Sequence, residues 1–115
     1  MYNLINTDNG KIVSEEWYEN IVCFEKYKCA VVNNGCFDYL LDLKTNKIVT
    51  NKYLAIRAIP FYGEFCAYVT ENDFFLINTK GKKYTKMKFN RIDAFKGFVY
   101  NNDIEYKLDD ILTKQ

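Results

Sequence analysis

Apolar and polar positions along this chain recur with a spacing near 36 residues. Short apolar runs closed by a polar residue stand at Leu4-Ile5-Asn6, Leu40-Leu41-Asp42 and Leu76-Ile77-Asn78, so that Ile5, Leu41 and Ile77 are 36 apart. Later landmarks keep step: Ile12-Val13, Ile48-Val49 and Tyr84, then Tyr18, Tyr53 and Phe89, each followed three residues on by Ile21, Ile56 and Ile92. Cys23, Ala58 and Ala94 fill the next shared slot, ahead of Phe24, Ile59 and Phe95. A period of this length marks one supersecondary unit per copy, each burying its apolar face against its neighbours. The copies span about 2–36, 37–72 and 73–102, with a truncated fourth at 103–115.

Within a copy, short apolar runs alternate with turn residues, which predicts about four antiparallel strands per unit. The first strand is expected at 3–6, 39–42 and 74–78, and the second begins at Lys11, Lys47 or Lys82. The third covers 18–24, 53–59 and 89–95, and the fourth 29–32, 65–69 and 98–100. Asn and Gly in Asn9-Gly10, Asn33-Asn34-Gly35 and Lys80-Gly81 suit the left-handed backbone of tight hairpins. Residues 104–108 alternate as a half-buried cap strand, and 109–115 read as a short helical turn or tail. Every connection is short, so the expected fold is one all-β domain over 1–115. It is an antiparallel up-and-down meander, an open β-repeat stack or partial propeller. Ile5, Leu41 and Ile77 are expected at equivalent buried positions, as are Ile21, Ile56 and Ile92.

The residues Ile5-Asn6 with Gly10-Lys11-Ile12-Val13, Leu41-Asp42 with Lys47-Ile48-Val49, and Ile77-Asn78 with Gly81-Lys82 form a recurrent motif. Tyr18, Tyr53 and Phe89 follow it, and Ala30-Val31 and Ala67-Tyr68-Val69 close the units. This resembles the tryptophan-glycine (WG) repeat family of bacterial proteins over about residues 2–102. The naming Trp-Gly pair is absent: Asp38-Tyr39 and Phe74-Phe75 stand in its place. The resemblance implies a β-repeat used as a binding scaffold, with no catalytic residues to carry over.

Composition narrows the picture. Hydrophobic residues make up 49% and aromatics 17%, too many for a disordered segment. A net charge of +1 predicts no general attraction to nucleic acid or membranes. No apolar run approaches 18 residues and the pattern starts close to Met1, so neither a signal peptide nor a membrane span is expected and the location reads as cytoplasmic. Abundant Asn, Lys, Ile and Tyr suit an AT-rich genome of a bacterium or its phage. Cys23, Cys29, Cys36 and Cys66 have no C-x-x-C spacing and no histidine accompanies them, which predicts reduced thiols and no metal. Cys23, Cys29 and Cys66 are expected buried and Cys36 exposed, since free cysteine packs as a small hydrophobe.

The chemistry of catalysis is missing. Acid–base or nucleophilic catalysis usually needs histidine, or cysteine or serine beside a base. The chain has no histidine, and its one serine, Ser14, stands in a polar stretch. Glu15-Glu16 and Asp109-Asp110 read as solvated ends, so neither an enzyme nor a cofactor is expected. Trp17 either closes the first unit or anchors an interface.

Laid out as a meander, the turns after strands one and three share one end. That end carries Lys11, Lys26, Lys28, Lys44, Lys47, Lys80, Lys82, Lys83 and Lys96 against Asp8, Glu25 and Glu64. The other holds Glu15, Glu16, Glu19, Asp38, Glu71, Asp73, Asp103 and Glu105 against Lys52, Lys86 and Lys88. Tyr27 and Tyr62 add aromatic area at the basic rim. Lys26, Lys28, Tyr62, Lys80, Lys82 and Lys96 are therefore the predicted contact set. The reading is a non-catalytic protein-binding module that docks on an acidic partner protein. An inhibitor or adaptor fits, such as a phage-encoded anti-defence inhibitor or an immunity protein. Single-stranded nucleic acid held by a Lys/Tyr rim is the alternative.

Overall fold

The computed structural model describes residues 2–4 and 17–112. Its backbone is almost entirely antiparallel β. Strands β1 (Asn20–Phe24), β2 (Cys29–Asn33), β3 (Asp38–Asp42) and β4 (Lys47–Ile48) form the first sheet, in chain order. Strands β5 (Ala55–Ala58), β6 (Phe65–Tyr68) and β7 (Phe74–Ile77) form the second. The third runs β10-β9-β8, from β8 (Arg91–Asp93), β9 (Phe98–Asn101) and β10 (Ile104–Lys107), and α1 (Leu108–Leu112) follows it. None of these three sheets closes into a barrel.

Side chains alternate across a strand, so each sheet has two faces and must cover both if both are apolar. In the first sheet, Ile21, Val32 and Tyr39 share one face and Val22, Val31 and Leu40 the other. The former meets Tyr18 and Leu4. The latter packs on Ile56, Phe65, Ala67 and Ile77 of the second sheet, with Phe24 edge-on to Phe65 at 5.2 Å. The opposite face of that second sheet, Cys66, Phe74 and Leu76, packs on Phe89, Val99, Leu108 and Ile111. The sheets thus stack face to face. The molecule measures 49 × 26 × 22 Å, and its radius of gyration of 14.9 Å exceeds the roughly 13 Å of a compact chain this long. The outer face of the third sheet is polar: the Arg91 guanidinium lies 3.9 Å from the Tyr100 ring and the Tyr100 hydroxyl donates to Glu105 at 3.1 Å.

The 36-residue spacing has a backbone counterpart. Isolated antiparallel bridges join Tyr2 to Tyr18, Asp38 to Tyr53 and Phe74 to Phe89, and their first members lie 36 apart. Leu41 and Ile77 are both buried, whereas Ile5 lies outside the described residues. Ile56 is buried, but Ile21 and Ile92 are only half-buried.

Three expectations change. The sheets do not coincide with the sequence copies: each combines the third and fourth strands of one copy with the first of the next. In the second and third copies the second strand nearly vanishes, reduced to β4 in the first sheet and to a bridge between Ile77 and Lys83 in the second, while that of the first copy lies outside the described residues. The Thr50 hydroxyl accepts the Leu40 amide at 3.0 Å. A side chain there replaces a strand partner, and the chain departs toward the next sheet. Cys29 and Cys66 are buried and Cys36 exposed, all free, but Cys23 is exposed as well. It sits near the end of the edge strand β1, past the cluster that holds Ile21. Ala58 in the matching slot is also exposed. Ala94, the third residue in the slot, is half-buried against the core.

Candidate functional site on the basic edge

The corners that join β1 to β2, β5 to β6 and β8 to β9 emerge at one end of the stack, beside the turns after β3 and β7 and beside α1. The first corner is a single 3₁₀ turn, Glu25–Tyr27, closed by Lys28 in a left-handed conformation (φ 57°). The turns after β3 and β7 use one device. The Lys44 amide donates to Asp42 Oδ1 at 2.8 Å, and the Lys80 amide to Asn78 Oδ1 at 2.9 Å. A short polar side chain satisfies the first free amide of the turn, as Asp and Asn commonly do. Gly81 follows at φ +80°, and a Cβ there would lie 2.7 Å from the Val49 carbonyl oxygen. Only glycine lets this turn close against the first sheet.

Tyr27 beds on the next corner. A Cβ at Gly63 would stand 2.8 Å from its ring, so the glycine makes room for the tyrosine. The neighbouring corner repeats the contact more loosely, with the Tyr62 hydroxyl beside Gly97. That hydroxyl faces the Asp109 carboxylate at the start of α1. Partial desolvation, then Asp109 itself, push the Tyr62 phenol above its ordinary value. The Tyr84 hydroxyl donates to Glu64 at 3.0 Å; burial and this bond raise its phenol strongly.

Between the first two sheets these turns enclose a cleft of about 150 Å³, lined by Lys26, Tyr27, Lys28, Asp42, Lys44, Thr79 and Lys80. Three members of the predicted contact set, Lys26, Lys28 and Lys80, therefore converge on one place. Lys44 completes the group. Lys82 stands on the same turn as Lys80, its amide held by Asn78 Oδ1 at 3.0 Å, but it does not line the cleft. Lys96 is farther along the edge, its amide held by Asp93 Oδ1 at 3.1 Å. Tyr62 is half-buried against the core between the second and third sheets. Lys11, Asp8, Glu15 and Glu16 lie outside the described residues. The helix α1 brings Asp109 and Asp110 to this end as well, so the positive charge gathers at the first junction and fades toward the third sheet.

The aromatic rings open to solvent on this edge are two that sequence reasoning passed over. Phe61 and Phe95 are 79% and 81% exposed and meet edge-to-face at 5.3 Å. Phe61 holds φ 72°, a backbone that a bulky L-residue rarely adopts. Their signal was positional, since each stands in a corner next to a residue with a reason to be at the surface. Trp17 is 51% exposed. A wider groove of about 470 Å³ runs between β1 and β5. Its carboxylate, Asp38, already accepts from Asn33 Nδ2 at 2.7 Å and the Ile56 amide at 2.9 Å, so Asp38 ties sheets together. Among the described residues no group of three or more His, Cys, Asp or Glu side chains is placed to hold a metal. No helix among them is long and apolar enough to cross a membrane.

No protein-family model, curated protein or solved structure matches this chain.

Proposed function

We propose that this protein is a non-catalytic, cytoplasmic binding module, an inhibitor or adaptor of a bacterium or phage, that docks its basic edge on an acidic partner protein. Its units are read as degenerate WG repeats serving as a scaffold. The observation that carries the reading is the convergence of Lys26, Lys28, Lys44 and Lys80, from three separate turns, on one cleft. Like charges gathered by a fold gain nothing from each other, so a partner of opposite charge gives them a use. The exposed Phe61–Phe95 pair on the same edge adds the kind of aromatic area that dominates protein interfaces. Single-stranded nucleic acid is less well served at the cleft, because stacking there needs free rings. Tyr27 is bedded on Gly63, and the exposed Phe61 and Phe95 do not line the cleft.

Charge reversal tests this. Lys26→Glu, Lys28→Glu and Lys80→Glu together are expected to abolish capture of the partner from a host lysate, because repulsion replaces attraction and slows association. Glu71→Lys with Asp73→Lys, at the far end, is expected to leave capture intact. If the far-end changes abolish it and the lysine changes do not, the edge is not the binding surface.

A further inference from the structure

We propose that the cleft between the first two sheets binds the phosphoryl group of a phosphorylated side chain on the partner. This rests on the reading of the edge as a protein-binding surface and names the group it takes. At about 150 Å³ the cleft is well below the roughly 300–1,000 Å³ of pockets that enclose a whole small ligand. It has room for one end group.

The charge count selects which group. Lys26, Lys28, Lys44 and Lys80 face one carboxylate, Asp42, and Asp42 Oδ1 is already engaged by the Lys44 amide. A phosphate monoester brings a charge of about −1.5 to −2 and three acceptor oxygens, against −1 and two for Asp or Glu. The geometry agrees. A planar carboxylate is best recognised by the arginine fork, and no arginine lines the cleft. Ammonium groups are compact point charges, and from three turns they surround a tetrahedral group. The Thr79 hydroxyl adds a further donor.

Lys28 supplies an independent sign. It holds φ 57° as the last residue of its four-residue corner, where the corner 94–97 ends in Gly97 at φ 80°. The backbone asks for glycine there, and a lysine is kept. Strain retained against a simple remedy points to a use for the side chain.

The test is titration, followed by NMR shifts, with four probes. These are an acetylated Gly-Gly-phosphoserine-Gly-Gly peptide, its serine and glutamate counterparts, and a 5′-phosphorylated oligothymidylate. The phosphopeptide is expected to bind at least about tenfold more tightly than the glutamate peptide and to shift the amides of the three turns. Lys44→Ala with Lys80→Ala is expected to remove that advantage without changing the melting temperature. Lys26→Gln, on a separate turn, repeats the test should the double variant misfold. Affinity for the phosphopeptide should also fall as pH drops through about 6, where phosphate takes its second proton. The chain has no histidine to titrate in that range. Equal binding of phosphoserine and glutamate, indifference to the lysine changes, or a clear preference for the oligonucleotide overturns the proposal. If the phosphopeptide fails while charge reversal still abolishes partner capture, the binding edge stands and only its phosphoryl specificity falls.

Discussion

The two junctions in the stack share a backbone plan and differ in what they do with it. At the first, between sheets one and two, Lys26-Tyr27-Lys28 form the corner, and the turns carrying Lys44 and Lys80 leave an open cleft. At the second, between sheets two and three, the matching corner reads Phe61-Tyr62-Gly63. There α1 occupies the place of the turn and brings Asp109 beside the Tyr62 hydroxyl. The tyrosine is common to both, because each beds against a glycine of the next corner. The flanking residues are not. The second corner is two residues longer and takes its left-handed backbone at Phe61 rather than Gly63, yet its tyrosine meets the next corner with no lysine beside it, so stacking does not require lysines. What remains after subtracting the shared scaffold is the cleft.

The largest effects should fall on what the junctions share. Phe65 and Phe74 are each buried to 1% exposure, one in the core between sheets one and two and the other between sheets two and three. Phe65→Ala and Phe74→Ala are each expected to cost about 3–5 kcal/mol in urea unfolding, the range for removing a buried ring. If either costs under about 1 kcal/mol, far below that range, the junctions are not equivalent and the subtraction fails.

A smaller effect separates the closed junction from the open one. Tyr62→Phe removes the hydroxyl that faces Asp109 and is expected to cost up to about 1 kcal/mol, the usual net worth of one hydrogen bond. Tyr27→Phe should cost nearly nothing, since its ring does the bedding. The folded-state phenol of Tyr62 lies above its ordinary 10.0. The stabilisation it brings is therefore complete below about pH 10 and is lost as pH rises through the folded value. The gap between wild type and Tyr62→Phe should close over that alkaline range when unfolding is followed by circular dichroism. A constant gap would mean that the hydroxyl is not held by Asp109.

Much of this was legible in the sequence. Leu41 and Ile77 mark buried strand positions because the alternation of apolar and polar residues reports a pleat with covered faces. The bridges from Tyr2, Asp38 and Phe74 to Tyr18, Tyr53 and Phe89 follow the same repeat of about 36 residues. What stayed hidden was anything set by the third dimension. Cys23 shares its slot with alanines, as a buried residue would, yet edge-strand position decides its exposure. Tyr62 reads as a rim aromatic until α1 arrives with Asp109 from 47 positions later. Lys26, Lys28 and Lys80 were visible as one end of a meander. That they face one cleft with Lys44 depends on how tightly the Gly81 turn closes on Val49.

The gentlest change makes the sharpest test. Lys26→Phe with Lys28→Gly transplants the second corner's residues into the first. Lys26 is exposed, so its replacement should move stability by no more than about 0.5 kcal/mol. At Lys28, glycine relieves a left-handed backbone that costs an L-residue roughly 1–2 kcal/mol. It adds roughly 0.5–1 kcal/mol of chain entropy to be lost on folding. The pair of changes should therefore leave the protein as stable as before, or more stable by up to about 1.5 kcal/mol, as the difference of those two terms. Binding of the phosphopeptide should disappear together with two of the four ammonium groups. Urea unfolding and peptide titration on the same sample read both. A destabilised variant would make the lysines part of the scaffold. A stable variant that still binds would move the site off the cleft. A protein that gains stability as it loses its ligand would show that Lys28 is kept for binding at the expense of the fold.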